Sequence, residues 1–348
     1  MPNLINNNQL LDNRQSGAPP RGGGRRRVSF CHSFEDIIGL ENLLESWKEF
    51  LKGKRKRKDV QEFSLSLMDN VIQLHQDLAH HTYSHGPYQA FRINDPKPRQ
   101  IHKSSVRERL LHHAIYRQLY PFFDRIFISD SFSCRLNKGT HKALDRFRHF
   151  AFKVSLNHTR TAWTLKCDIR KFFENIDHKV LKVILAKYIQ DEDTLWLLGK
   201  VIDSFKPGLP LGNLTSQLLV NVYMNEFDHF VKRVLKVRYY IRYADDFVVL
   251  SEDKEWLEKL LPIISQFLDE NLRLEIHPNK VFIRTLASGI DFLGWVHFPT
   301  HRVLRATAKR RMFKKLAQNS RPEVVNSYLG LLKHGNTNKL KKVLLSRL

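Results

Sequence analysis

A chain of 348 residues with 42% hydrophobic and 27% charged side chains has a globular composition, and it is long enough for two or three subdomains. Its 58 Lys and Arg against 35 Asp and Glu leave a net charge of +23, which favours polyanionic partners, nucleic acid first and an anionic membrane surface second. No apolar run approaches the roughly 20 residues needed to span a bilayer. The N-terminal MPNLINNNQLLDNRQ lacks the apolar core of a secretory signal, and Cys31, Cys134 and Cys167 make neither a CxxC pair nor an even disulfide framework. A soluble chain in a reducing compartment is the expectation.

Residues 1–33 read as a disordered basic tail, Asn-rich and then Gly/Pro/Arg-rich (SGAPPRGGGRRRVS), with Arg25, Arg26 and Arg27 open to RNA or to solvent. A helix is predicted over FEDIIGLENLLESWKEFL, where Leu40, Leu43, Leu44 and Trp47 share a side. Past the basic link GKRKRK (53–58), a second helix is predicted over 59–82 from the spacing of Val60, Phe63, Leu67, Val71, Leu74 and Leu78. Together these make an N-terminal helical region, 34–86. YQAFRI (88–93) reads as a strand, and the prolines of NDPKPRQIHK keep the next stretch from being helical. A helix over 104–123 is expected to end near Pro121. AWTLKCDI (162–169) alternates Trp163, Leu165, Cys167 and Ile169 with Thr164, Lys166 and Asp168, the pattern of a half-buried strand. Helices over 177–189 and 193–205 follow, then a rigid PGLPLG loop (207–212) and a long helix over NLTSQLLVNVYMNEFDHFVKRVL, with Asn213 or Thr215 near its start. YYIRYADDFVVL (239–250) reads as a hairpin with Asp245–Asp246 at its tip. A helix over 253–270, strands near 280–285 and 290–296, and a Lys/Arg-rich helical end from Thr307 complete the chain. The sum is a mixed α+β protein with a central antiparallel sheet.

Two adjacent aspartates between apolar, β-favouring runs need a reason, because a buried unpaired carboxylate costs several kcal/mol or takes up a proton. One reading is a turn, for which Asp is suited, although no Gly is present for a type I′ turn. The other brings Asp245 and Asp246 to Asp168, which ends a strand 77 residues earlier. Three carboxylates at one sheet end repel one another unless cations neutralise them. Hard oxygen donors without a His/Cys set favour Mg²⁺ over Zn²⁺. Two Mg²⁺ ions, with Mn²⁺ as a possible substitute, can activate an attacking 3′-hydroxyl and stabilise a leaving pyrophosphate.

LKCDIRKFFENIDH, LPLGNLTSQ, RYADDFVVL and GIDFLGW occur in the order found in reverse transcriptases, so residues 163–295 resemble the palm of an RNA-directed DNA polymerase. The resemblance implies a right-hand architecture with fingers over 87–160, palm over 161–298 and a small helical thumb over 299–348. It implies Asp168, Asp245 and Asp246 as catalytic metal ligands joined by Ile169, with Asp246 alternatively a residue that only shapes the turn. Lys97 and Arg99 of DPKPRQI match basic residues that clasp the dNTP triphosphate, or else, Lys97 more than Arg99, are solvated loop charges. Phe173, five residues after Asp168, matches an aromatic gate against the ribose 2′-hydroxyl, or else packs in the core as Phe172 does. Ile169, Leu211, Gly212 and Gln217 fall at dNTP-binding positions, and Lys280 of HPNK matches a lysine near the pyrophosphate, or is a surface lysine. GIDFLGW (289–295) corresponds to the primer grip, or else is a hydrophobic hairpin.

LPLGNLTSQ departs from the Gln-Gly and Ser-Pro of many reverse transcriptases. Its aliphatic-Gly-x-x-x-Ser-Gln form resembles the enzymes of diversity-generating retroelements, as do GPYQAFRINDPKPRQI, SFSCRLNKGTHKA, THRVLR and SYLGLLKHGNTNKL, so that this resemblance spans about 34–348. It implies cytoplasmic, bacterial or phage-encoded copying of a template RNA through an RNA–DNA duplex from dNTPs, with errors at adenines (mutagenic retrohoming) and a small basic accessory protein as partner. Leu211 in place of a glutamine removes a polar contact and loosens the base pair, which lowers discrimination. Aliphatic residues here also occur in bacterial reverse transcriptases of antiviral defence. A non-catalytic RNA-binding protein on a polymerase scaffold is the third reading.

Overall fold

The computed structural model describes residues 29–94 and 98–345; Lys97 and residues 1–28 of the expected tail lie outside the described residues. The first predicted helix is two helices, α1 (Phe34–Ile38) and α2 (Leu40–Phe50), parted by Gly39. Ser33 and Asp36 close α1 with a reciprocal capping box. The helix predicted over 59–82 likewise splits at Ser66, whose φ −119 and ψ 43 are not helical, into α3 (Lys58–Leu65) and α4 (Leu67–Ala79). An antiparallel ribbon follows, β1 (Gln89–Ile93) with β2 (Arg99–Lys103).

Helix α5 (Val106–Ile126) runs through Pro121 instead of stopping near it. An internal proline costs about 3 kcal/mol. Phe122 and Phe123, buried just beyond it, each return roughly 2–3 kcal/mol, so continuing the helix is favoured. The helix α6 (Thr140–Val154), absent from the sequence-based expectations, buries Ala143, Leu144, Phe147, Phe150, Ala151 and Val154 along one face.

Next come β3 (Trp163–Asp168), α7 (His178–Ala186), α8 (Glu192–Asp203) and α9 (Leu214–His229). The last of these gives way to a π-helical turn over Phe230–Val234 where a continuous α-helix was expected. Then follow β4 (Tyr240–Tyr243), β5 (Asp246–Ser251), α10 (Lys254–Leu272) and β6 (Phe282–Thr285). The central sheet has the order β4-β5-β3-β6 with every neighbour antiparallel. Tyr240, Phe247 and Val249 join one apolar core with α5 and α7 to α10, whereas Ile241, Val248 and Leu250 join a second core with α6 and the C-terminal elements. The sheet is therefore covered on both faces. Strand β3 is not half-buried as its alternation suggested: Thr164 and Lys166 are buried along with Leu165 and Cys167.

The strand predicted over 290–296 is a tight hairpin of β7 (Ile290–Phe292) and β8 (Trp295–His297), extended by β9 (Arg302–Leu304). Leu293 (φ 49) and Gly294 (φ 86) make its two-residue turn, both with the positive φ of a type I′ turn. Three helices close the described chain, α11 (Ala306–Gln318), α12 (Pro322–Leu332) and α13 (Asn338–Leu345). Among the described residues no helix is long and apolar enough to cross a membrane.

Candidate active site

Strands β3 and β5 set Asp168 directly opposite Asp246. Tyr243 pairs with Asp246 across β4 and β5, so the hairpin tip is Ala244–Asp245 and not the predicted Asp245–Asp246. Ala244 takes φ 55, a left-handed conformation that costs a non-glycine residue roughly 1–2 kcal/mol. The Ile169 amide donates to the Asp245 carbonyl at 3.1 Å, tying the tip to the end of β3. Three acidic residues and Ile169 thus meet at one end of the sheet. Ile169 itself is buried.

Electrostatics distinguish the carboxylates. Burial pushes Asp246 up to about 7, the charges of Asp245 and Asp168 add to the rise, and Lys166 opposes it. Burial and then the Asp168 charge raise Asp245, against the pull of Lys280 and Arg99. Lys166 Nζ lies 3.3 Å from Asp246 Oδ1, an ion-pair distance, yet that oxygen is buried without a hydrogen-bond partner. Lys280 Nζ donates to Asp168 Oδ1 at 2.7 Å, and the His277 amide donates to the Asp168 carbonyl at 2.8 Å, which docks HPNK beside β3. Lysine ammonium groups therefore sit on the carboxylates. Among the described residues no three Asp, Glu, His or Cys side chains close on one point, so the cage expected from sequence is not preformed. The donor set nonetheless fits a hard divalent cation. It is all oxygen, one buried oxygen lacks a hydrogen-bond partner, and burial, with the neighbouring carboxylates adding to it, makes Asp245 and Asp246 hold their protons more tightly than usual.

The remaining predicted residues surround this cluster through one loop and one ribbon. Arg99 opens β2, exposed, with its charge felt at Asp245. Phe173 is half-buried, edge-on to the buried Phe172 at 5.6 Å, and its carbonyl accepts from the Leu209 amide at 2.8 Å. A Cβ on Gly208 would stand 2.0 Å from that carbonyl oxygen, so only glycine lets the loop approach. The Leu211 carbonyl accepts from the His102 amide at 3.0 Å, and Gly212, at φ 107, would place a Cβ 2.7 Å from Ile101 Cγ2. Asn213 does not cap α9 with its side chain; it bonds the His102 carbonyl at 3.0 Å and Ser104 Oγ at 2.9 Å. The loop over 207–212 is thereby clamped to both the turn after β3 and the ribbon. Gln217 lies half-buried in the first turn of α9, where its carbonyl accepts from Asn221.

Two residues of the site escaped the sequence reading. Lys166 lies two residues before Asp168 and so on its face of β3, a period-2 signal that pairs a cation with the acid. Arg242, three residues before Asp245, is wholly buried behind the tip.

YkfC of Escherichia coli (strain K12) is 23% identical over 269 residues, covering 64% of this chain and 68% of that protein. The group II intron-encoded protein LtrA of Lactococcus lactis subsp. cremoris is 22% identical over 305 residues, 65% of this chain and 49% of LtrA, so the chain spans about half of that relative. Among solved structures, telomerase from Candida albicans matches with a TM-score of 0.49 at 11% identity, covering 66% of this chain and 48% of that one. The family described as reverse transcriptase (RNA-dependent DNA polymerase) matches residues 93–297, which include the paired strands and every described acidic residue of the cluster, and the chain belongs to that family.

Proposed function

We propose that this chain is an RNA-directed DNA polymerase that builds cDNA on an RNA template at Asp168, Asp245 and Asp246. The observation that carries the reading is the pairing of Asp168 with Asp246 across β3 and β5, with Asp245 tied to Ile169 beside them. The central sheet with its helices is the palm (161–298), the β1–β2 ribbon belongs to the fingers (87–160), and α11 to α13 belong to the thumb (299–348).

Asp168, Asp245 and Asp246, with the Ile169 carbonyl, would hold two Mg²⁺ ions or Mn²⁺ in their place. When bound, such ions supply the charge for in-line attack of a primer 3′-hydroxyl on the α-phosphate with loss of pyrophosphate. Lys280 and Arg99 bring positive charge to the triphosphate side, and Lys97 would add to it from outside the described residues. Phe173, its main chain fixed by Leu209, serves as the gate against a ribose 2′-hydroxyl. Gly212 lets the 207–212 loop lie on β2, placing Leu211 beside the nascent base pair, with Gln217 following on α9. Helix α11, with basic residues at 309–311 and 314–315, would follow the phosphates of an RNA–DNA duplex.

Within the family, the Leu211-Gly212 and Ser216-Gln217 spacing supports an error-prone enzyme of a diversity-generating retroelement acting with a small basic accessory protein. Primer extension on an RNA template with and without Mg²⁺ tests the activity. Asp245→Asn should abolish dNTP incorporation and leave RNA affinity largely intact; polymerisation by that variant would remove the triad assignment. Sequencing cDNA made on native RNA tests the subgroup, because errors concentrated at adenines support it and errors spread evenly favour the antiviral-defence reading.

A further inference from the structure

Arg242 and Asp228 are both wholly buried, an arrangement that costs several kcal/mol unless every polar atom is matched. Here every one is. A guanidinium has five N–H donors. Arg242 Nε donates to Asp228 Oδ1 at 2.8 Å and Nη2 to Asp228 Oδ2 at 2.7 Å, a bidentate pair. Nη2 also donates to Ser131 Oγ at 3.1 Å, and Nη1 donates to Asn221 Oδ1 at 3.3 Å. The last bond runs from Nη1 to the Ala244 carbonyl at 3.1 Å, inside the hairpin tip that carries Asp245. Tyr240 Oη completes the set by donating to Asp228 Oδ1 at 2.7 Å. The Arg242 main chain is held as well, its amide bonded to the Asp130 carbonyl and its carbonyl to the Phe132 amide, each at 3.0 Å.

Stability alone does not call for this knot, since well-packed apolar residues usually replace a buried ion pair at no loss. What only arginine supplies at this position is a donor to the strained residue of the tip while both other edges of the fork stay anchored. Asn221 meanwhile bonds the Gln217 carbonyl at 3.3 Å, so the same group joins the tip to the first turns of α9. We propose that Arg242 is a positioning residue that holds Ala244 in its left-handed conformation, aims the Asp245 and Asp246 carboxylates, and couples them to the Gln217 end of α9. The proposal rests on reading those carboxylates as metal ligands.

The test compares wild type with Arg242→Lys, Asn221→Ala, Ser131→Ala and Tyr240→Phe. Two measurements are made on each: the Mg²⁺-induced rise in melting temperature, titrated to half-saturation, and primer extension on a homopolymer RNA template. A lysine keeps the charge for Asp228 but cannot span the Ala244 carbonyl as well. Arg242→Lys should raise half-saturating Mg²⁺ by about tenfold or more, as loss of outer-shell support does, and lower kcat while dNTP KM stays within about twofold. Asn221→Ala, which frees one side of Nη1, should shift the Mg²⁺ requirement the same way by less. Ser131→Ala and Tyr240→Phe touch the knot but not the tip, so they should lower the melting temperature and leave the Mg²⁺ requirement unchanged. A folded Arg242→Lys with wild-type Mg²⁺ half-saturation overturns the proposal. Should that variant not fold, an unshifted Asn221→Ala overturns it. Asp245→Asn in the same assays separates the two levels. If it still polymerises, the metal-ligand reading has failed. If it is dead while Arg242→Lys matches wild type, only the positioning role has failed.

Discussion

At neutral pH and above, Asp246→Asn should make the metal-free protein more stable even as it destroys polymerisation. Burial raises this carboxyl from its ordinary 3.8 to about 7. Between those values the folded protein keeps a proton that the unfolded chain has released. Stability therefore falls as pH rises through that window and levels off above about 7. Three units at ~1.4 kcal/mol each set an upper bound near 4 kcal/mol on the cost of the ionised side chain. Its side chain is 19% exposed, so solvent relaxation trims the figure to about 2–4 kcal/mol. An amide of the same shape avoids that cost. Urea denaturation in chelator should find the variant more stable by this amount at pH 8, with the gap closing toward pH 4. Saturating Mg²⁺ should narrow or invert the gap, because only the wild type gains a full set of anionic donors. A variant no more stable than wild type at pH 8, or a gap that does not change with pH, would refute the claim that burial disfavours the ionised form of this carboxyl.

Three further outcomes follow from the loop and the turn beside the acids. Phe173→Ala should raise use of ribonucleotides relative to dNTPs by about tenfold or more, read by competitive primer extension; unchanged preference would return Phe173 to the core it half joins. Leu211→Gln should cut misincorporation by roughly fivefold, the worth of about 1 kcal/mol of hydrogen bonding, as counted by sequencing products. Gly212→Ala must force a Cβ at φ 107 against Ile101, so it should cost about 1–3 kcal/mol in denaturant melts and raise dNTP KM as the loop lifts from β2.

Much of the fold was legible because apolar period and turn residues agree over long stretches, as in β3, α9, α10 and the β4–β5 hairpin. The misreadings have separate physical causes. Helix α6 carried a clear signal in Ala143, Leu144, Phe147, Phe150, Ala151 and Val154, and was overlooked rather than hidden. Pro121 was given the weight of a helix breaker, although burial of the next two phenylalanines outweighs it. The hairpin in GIDFLGW was legible only as an alternative, because leucine rarely accepts φ 49 and the following glycine alone marks the turn. The ribbon strand β2 left no pattern at all, since Arg99, Gln100, His102 and Lys103 do not alternate with apolar residues.

At the site, the division runs between residues that bear the chemistry and residues that hold it in place. Asp245 and Asp246 were conspicuous because charge inside an apolar hairpin is expensive and demands a reason. Arg242 satisfies the same criterion, a cation three residues earlier in the same hairpin, yet it drew no question because arginine is unremarkable in a chain of net charge +23. Lys166 was masked in the same way, read as the outward face of a strand that proves to be covered on both sides. Global basicity thus concealed two of the cations that matter locally. Burial marks both among the described residues: Arg242 is 0% exposed and Lys166 9%. Burial thus singles out Arg242 and Lys166, whereas Lys280, exposed and bonded to Asp168, was legible from its place in HPNK.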